Sequence, residues 1–204
     1  MTPAGSAYHH GDLRAALVQT ATELARADGP DGVVLREAAR RVGVSHNAAY
    51  RHFADRTELM TAVASNAFGE LADAMRAALA KEDRKRAHRG DPAARARGRL
   101  RALGQTYVDF AVAEPGLFRL AFHEELKAGE PADTEPFTLL GQALDDLVAA
   151  EVITPEERPG AEMMCWSAVH GFAVLVLDGP LRGVSAKERS QALTAMLDAL
   201  DHGL

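Results

Sequence analysis

The sequence predicts an all-α protein of about nine helices, because apolar residues recur at helical rather than strand spacing almost throughout. Gly and Pro break the chain at intervals that suit helices, and the composition is globular. With 204 residues, 47% of them hydrophobic and 25% charged, the chain can form one large domain or two small ones around a substantial core. Bulk disorder is excluded. One cysteine, Cys165, excludes an intramolecular disulfide and a multi-thiolate metal site. A reducing cytoplasm is the expected compartment, since Met1 to Asp12 is short, polar and His-bearing, unlike an export signal.

The first helix is read from Leu13, Ala16, Leu17, Ala21, Leu24 and Ala25, one stripe that ends at Gly29-Pro30. A short second helix, Leu35 to Val42, stops at Gly43, and a third begins after Ser45, a good N-cap. The fourth runs from Asp55 or Arg56 to Ala80 with Leu59, Val63, Ala67, Leu71 and Ala78 near one face. Residues 81–101 carry nine Lys/Arg against three acids around Gly90-Asp91-Pro92 and read as a solvated connection into a helix near Ala93. Further helices are expected at about 93–113, 115–123, 135–151, 156–178 and 186–201, separated by Pro115, the Gly129–Pro136 stretch, Thr154-Pro155 and Gly179-Pro180. No internal repeat is found.

A net charge of −6 argues against an unselective nucleic-acid binder. Resolved along the chain it divides: residues 1–56 hold seven Arg against six acids, so this segment is +1 and the remainder −7. His9, His10, His46 and His52 also fall in the first segment, where a neighbouring polyanion would favour their protonation. A small N-terminal unit, 8–56, is therefore expected ahead of an acidic body, 57–204.

Val42-Gly43-Val44-Ser45 joins two short helices with the spacing of a helix-turn-helix, whose second helix enters the DNA major groove. That helix turns Ala49 and Phe53 to one side and offers His46, Asn47, Tyr50, Arg51 and His52 on the other. Asn pairs bidentately with adenine, and Tyr and Arg suit phosphates. Taken alone, the turn fits an ordinary αα-corner equally well. The whole segment is more specific. Tyr8-His9-His10-Gly11-Asp12-Leu13-Arg14, Leu35-Arg36-Glu37-Ala38-Ala39-Arg40-Arg41, the Gly43 turn and Tyr50-Arg51-His52-Phe53-Ala54-Asp55-Arg56-Thr57-Glu58-Leu59 closely resemble the DNA-binding domain of TetR-family transcriptional regulators.

The resemblance implies a three-helix DNA-binding domain, a long fourth helix and a C-terminal bundle for ligand binding and dimerisation. Arg36, His46 and Asn47 would reach bases, while Ser45, Tyr50, His52 and Arg56 would grip phosphates. Arg51 is added because it falls on the exposed side. His9-His10 resembles the family's N-terminal arm and lacks a third ligand for metal. The segment departs from the pattern in three ways. Val34 stands where a Ser or Thr cap is usual, and Glu37 is half of a capping box without its partner. Asn47 and Ala49 replace common Ala and Pro, which bears on operator sequence.

Met163 to Leu177 contains no formally charged residue and is apolar on nearly every face; fifteen residues are too few to span a bilayer. A helix apolar all round must be buried all round. A homodimer through helices 156–178 and 186–201 would achieve this, with Ala192, Ala195 and Ala199 allowing close approach beside the Leu193, Met196, Leu197, Leu200 stripe. Trp166, His170 and Gly171, preceded by Glu114-Pro115-Gly116-Leu117-Phe118-Arg119-Leu120-Ala121-Phe122, resemble the TetR subgroup named for its Trp-His-Gly C-terminal signature. Tyr107, Phe110, Phe118, Phe122, Phe137, Met163, Trp166 and His170 are then either core or the lining of a pocket for a small apolar effector with one polar group.

The expected function is a ligand-responsive regulator, a repressor, which binds palindromic double-stranded operator DNA and needs no cofactor. Catalysis is not expected, because Cys165 lies in an apolar helix where thiols are inert. The competing reading is a helical protein-interaction module with no DNA function.

Overall fold

The computed structural model describes residues 10–85, 90–126 and 134–204. Tyr8 and His9 of the expected N-terminal arm, the basic residues within 86–89 and the 127–133 stretch lie outside the described residues. Among the described residues the chain is all-helical: α1 (His10–Asp28), a 3-10 turn (Pro30–Gly32), α2 (Leu35–Val42), α3 (His46–Tyr50), α4 (Arg56–Glu82), α5 (Pro92–Ala113), α6 (Pro115–Ala121), α7 (Glu135–Ala149), α8 (Arg158–Leu177) and α9 (Ala186–Gly203). Every predicted helix is present. Only the 3-10 turn is new, set by Pro30 at its start after Gly29 at φ 68°.

Two compact units form, and neither is a continuous stretch of chain. One reaches to Ala67 and takes in the segment beginning at Pro115; the other comprises Phe68–Glu114 and the later residues. In the first, α1 packs on α2 and α6, and α2 on α3. Leu17, Ala21, Ala25, Val33, Ala38, Ala49, Phe53, Leu59, Val63, Leu117 and Leu120 share one core. Gly43 ends α2 in the left-handed region at φ 79°, the reason a glycine stands in the turn. α2 begins at Val34 without a side-chain cap, as the sequence implies. α4 is capped instead by Asp55, whose carboxylate accepts from the Glu58 N–H at 2.8 Å, while Glu58 accepts from the Ala54 N–H at 2.7 Å. Gly116 lets α6 press against the end of α1, for a Cβ there would lie 2.0 Å from the Ala25 carbonyl oxygen.

In the second unit α5 is the central helix, packed on α7, α8 and α9. Leu103, Val108, Leu144, Leu147, Val169, Phe172, Leu193 and Leu197 are buried. The described residues between α4 and α5 are exposed, as expected of a solvated connection, but the later part of the basic stretch, from Arg95 on, lies on α5 and is paired. Arg99 bonds Asp83 at 2.6 Å and Asp146 at 2.8 Å, Arg95 bonds Asp83 at 3.1 Å, Arg97 bonds Asp201 at 2.6 Å, and Arg101 pairs with Asp198. The acidity of this body is what draws them in, since α5 presents its cations to carboxylates on α7, on α9 and just after α4. α8 has 20 residues and a stretch of 18 with mean hydropathy 1.4, so by length and composition it could cross a membrane, unlike the shorter uncharged run counted from sequence. Here it packs as a bundle helix and carries charges in its first turns, where Arg158 bonds Asp145 at 2.8 Å and also pairs with Glu162.

Candidate nucleic-acid interface and ring cluster

Ser45 is extended, and its Oγ accepts from the Ala48 N–H at 3.2 Å, which starts α3 as the sequence predicts. The hydroxyl hydrogen is left to donate elsewhere. The α2–α3 corner brings Arg36 to His46, and the Arg36 Nε–H donates to His46 Nε2 at 3.2 Å. The Tyr50 ring meets the imidazole edge-on, with centroids 4.4 Å apart. Arg36, His46 and Tyr50 thus form one cluster, with Asn47 beside them on α3, and all four are exposed. Arg51 is exposed and makes no ion pair among the described residues, whereas His52 is half-buried.

Glu37, next to Arg36, is held by Arg40 at 2.7 Å and Arg41 at 2.8 Å. These two guanidinium hydrogen bonds pull its carboxyl down to about 2. The one acid on α2 is therefore neutralised within its own helix. Arg56 is employed differently from the phosphate grip that the resemblance implies. Its Nε donates to the Val33 carbonyl at 2.9 Å, one Nη donates to the Pro30 carbonyl at 2.7 Å, and the other pairs with Glu125 at 2.7 Å. Val33 is extended, so its carbonyl lies outside the helical ladders and takes a charged donor. Sequence reasoning missed Glu125; the Glu124-Glu125 pair just after α6 was the available signal.

Of the eight expected pocket residues, four come together by ring contact in the second unit. The Tyr107 hydroxyl and His170 Nδ1 are 2.9 Å apart. Trp166 stacks on His170 with centroids 5.5 Å apart, and Phe137 meets Trp166 edge-on at 5.9 Å. The Trp166 side chain also hydrogen-bonds Tyr107. Burial pushes the Tyr107 hydroxyl up and the His170 imidazole down, so both are neutral near pH 7. Phe110 is half-buried on α5. Phe118 on α6 and Phe122 just after it lie in the first unit, their rings 5.1 Å apart. Met163 is 59% exposed, because it falls on the outer face of α8 with Met164, Val174 and Leu175. No group of three His, Cys, Asp or Glu that could hold a metal occurs among the described residues.

Comparison with known families decides the identity of these two units. A family profile described as bacterial regulatory proteins, tetR family, matches residues 17–63, and one described as tetracyclin repressor-like, C-terminal domain, matches residues 100–200. The chain belongs to the TetR family. A Rhodococcus sp. RHA1 protein of unknown function is 30% identical to this TetR-family chain, with TM-score 0.71 over 98% of this chain and 99% of the other. A TetR variant from Acinetobacter baumannii AYE in complex with minocycline is 20% identical, with TM-score 0.65 over 92% and 93% of the two chains. RolR in complex with resorcinol is also 20% identical, with TM-score 0.55 over 93% and 88%. No significant match is found among curated proteins.

Proposed function

We propose that this TetR-family chain is a ligand-responsive transcriptional repressor of the cytoplasm. It binds a palindromic operator as a homodimer and leaves it when a small effector occupies the ring cluster. The observation that carries the reading is the exposed Arg36, His46, Asn47 and Tyr50 group on a Ser45-capped helix-turn-helix. Arg and Asn are base-reading side chains, and Tyr suits phosphate.

The support for dimerisation comes from α8. Exposed Gly160, Met164, Ser167 and Val174, half-buried Gly171 and Asp178 at the helix end recur alternately four and three residues apart along one side. This is the spacing of a helix–helix seam. Small residues there let a second copy approach closely, as do the exposed Ala192, Ala195 and Ala199 on α9. Two-fold symmetry would then set two recognition helices roughly 34–36 Å apart, one DNA turn.

Within the family we place the chain in the Trp-His-Gly subgroup, on the order of Trp166, His170 and Gly171. The effector suited to neutral Tyr107 and His170 among Phe137 and Trp166 is an uncharged, largely apolar molecule with one hydrogen-bonding group. Minocycline and resorcinol in the two relatives are small molecules held by the same fold.

Selection of bound DNA from a random pool tests the function. The expected product is a palindrome that is shifted in a salt-dependent manner and released by Tyr50→Ala or Arg36→Ala. Recovery of no selective sequence, or indifference to both substitutions, would overturn the reading.

A further inference from the structure

We infer that His46 is a positioning residue which aims Arg36, so that the two side chains read one guanine of the operator as a unit. The inference rests on the helix-turn-helix reading above and adds to it a role for a residue that would otherwise count as one more surface contact.

The two side chains come from different helices and meet through one directed bond, Arg36 Nε–H to His46 Nε2 at 3.2 Å. An accepting Nε2 requires the neutral imidazole with its proton on Nδ1, so His46 has to meet DNA unprotonated, the opposite of what the sequence leads one to expect of a histidine beside a polyanion. Tyr50, with its ring centroid 4.4 Å from that of the imidazole and the planes inclined at 63°, limits how the ring can turn. Arginine has five N–H donors. The bond to His46 uses the one on Nε and leaves Nη1 and Nη2, which have no hydrogen-bond partner among the described residues. That fork is the group that matches guanine, whose O6 and N7 are both acceptors in the major groove; adenine offers a donor at N6 instead.

The neighbouring charges are arranged to keep the fork available. Glu37 is the acid adjacent to Arg36, and Arg40 and Arg41 both bind it. A free arginine would lose rotamer entropy on docking to a base, whereas one already tied at Nε has lost part of it beforehand. All three residues of the cluster are exposed. An exposed hydrogen bond of this kind contributes little to folding, so its direction matters for what approaches from solvent.

The test uses the full chain and the operator recovered by selection, with each G·C pair of the half-site replaced in turn by A·T. Wild type is expected to discriminate at one G·C pair by about 5- to 150-fold, the range of one bidentate contact. Arg36→Ala loses that discrimination at this pair alone. His46→Phe and His46→Ala lose most of it with Arg36 intact, and His46→Gln, whose Oε1 can accept from Nε, restores most of it. Arg36→Ala/His46→Ala is no worse there than Arg36→Ala. Thermal unfolding of all variants stays at the wild-type value. Discrimination that survives His46→Phe, or that Gln restores no better than Phe, overturns the role of His46 and leaves the regulator reading intact. If wild type recovers no selective DNA, both fall.

Discussion

Arg56 and Arg51 carry the same charge on neighbouring turns and face different environments. Arg56 donates to the carbonyls of Pro30 and Val33 and pairs with Glu125, so it ties the start of α4 to the turn before α2 and to the chain after α6. Arg51 has solvent around it. Arg56→Ala should therefore lower the thermal unfolding temperature, with a loss of roughly 1–3 kcal/mol for charge-assisted bonds left unmade. Arg56→Lys should recover only part of it, because an ammonium cannot fork across acceptors so disposed. Arg51→Ala should leave stability within about 0.5 kcal/mol and weaken DNA binding evenly across sequences, lowering the salt slope by about one. Calorimetry and salt titrations separate the two. An unfolding temperature unchanged by Arg56→Ala, with operator affinity lost, would return Arg56 to the phosphate-gripping role that the family resemblance implies.

At the scale of the element, α6 is held by a close backbone approach to α1. Its Gly116 stands where any Cβ would meet the Ala25 carbonyl oxygen at 2.0 Å and the Arg26 carbonyl oxygen at 3.0 Å, both backbone atoms of α1. Gly116→Ala should therefore cost about 1–3 kcal/mol or more, since overpacked backbone cannot move aside as a side chain can. Gly69→Ala is the matched control: that glycine lies inside α4 with nothing within 4 Å of a Cβ. It should be neutral or stabilising by about 0.5–1 kcal/mol. A Gly116→Ala chain that unfolds at the wild-type temperature would show that α6 does not seat on α1. Helices such as α2 and α9 were legible because their ends are written locally, by Gly43 after one and by Gly179-Pro180 ahead of the other, where a Ser185–Glu188 capping box starts the helix. That His46, Asn47 and Tyr50 share the exposed side of α3 behind a Ser45 cap was legible, since they follow one turn motif. The bond inside the cluster was not, because Arg36 lies ten positions earlier and only the corner brings it to His46. The same holds for Arg99 with Asp146 and for Gly116 with Ala25. Periodicity reports which face of a helix is apolar, and is silent on which distant carboxylate or carbonyl that face will meet.

For the whole molecule, the uneven charge and the apolar α8 bear on one question, how an acidic chain holds an acidic polymer. The cations of α5 are committed to carboxylates of the second unit, so they add little attraction for DNA. With a net charge of −6 the chain has little unselective electrostatic affinity to draw on. Selective binding must then rest on a few placed contacts, and doubling them across two half-sites raises affinity by about 10²- to 10⁴-fold without a new contact type. If two copies join as proposed, the seam of α8 is decisive for DNA binding. Val174 is 41% exposed in the single chain, so Val174→Glu should fold with unchanged helicity. In a symmetric pair it would set carboxylates from both copies against an apolar seam, where neither is solvated nor matched. Sedimentation should show a monomer, and the full palindrome should bind only about as well as an isolated half-site. A Val174→Glu chain that still sediments as a dimer and still prefers the full palindrome would mean that another face joins the two copies.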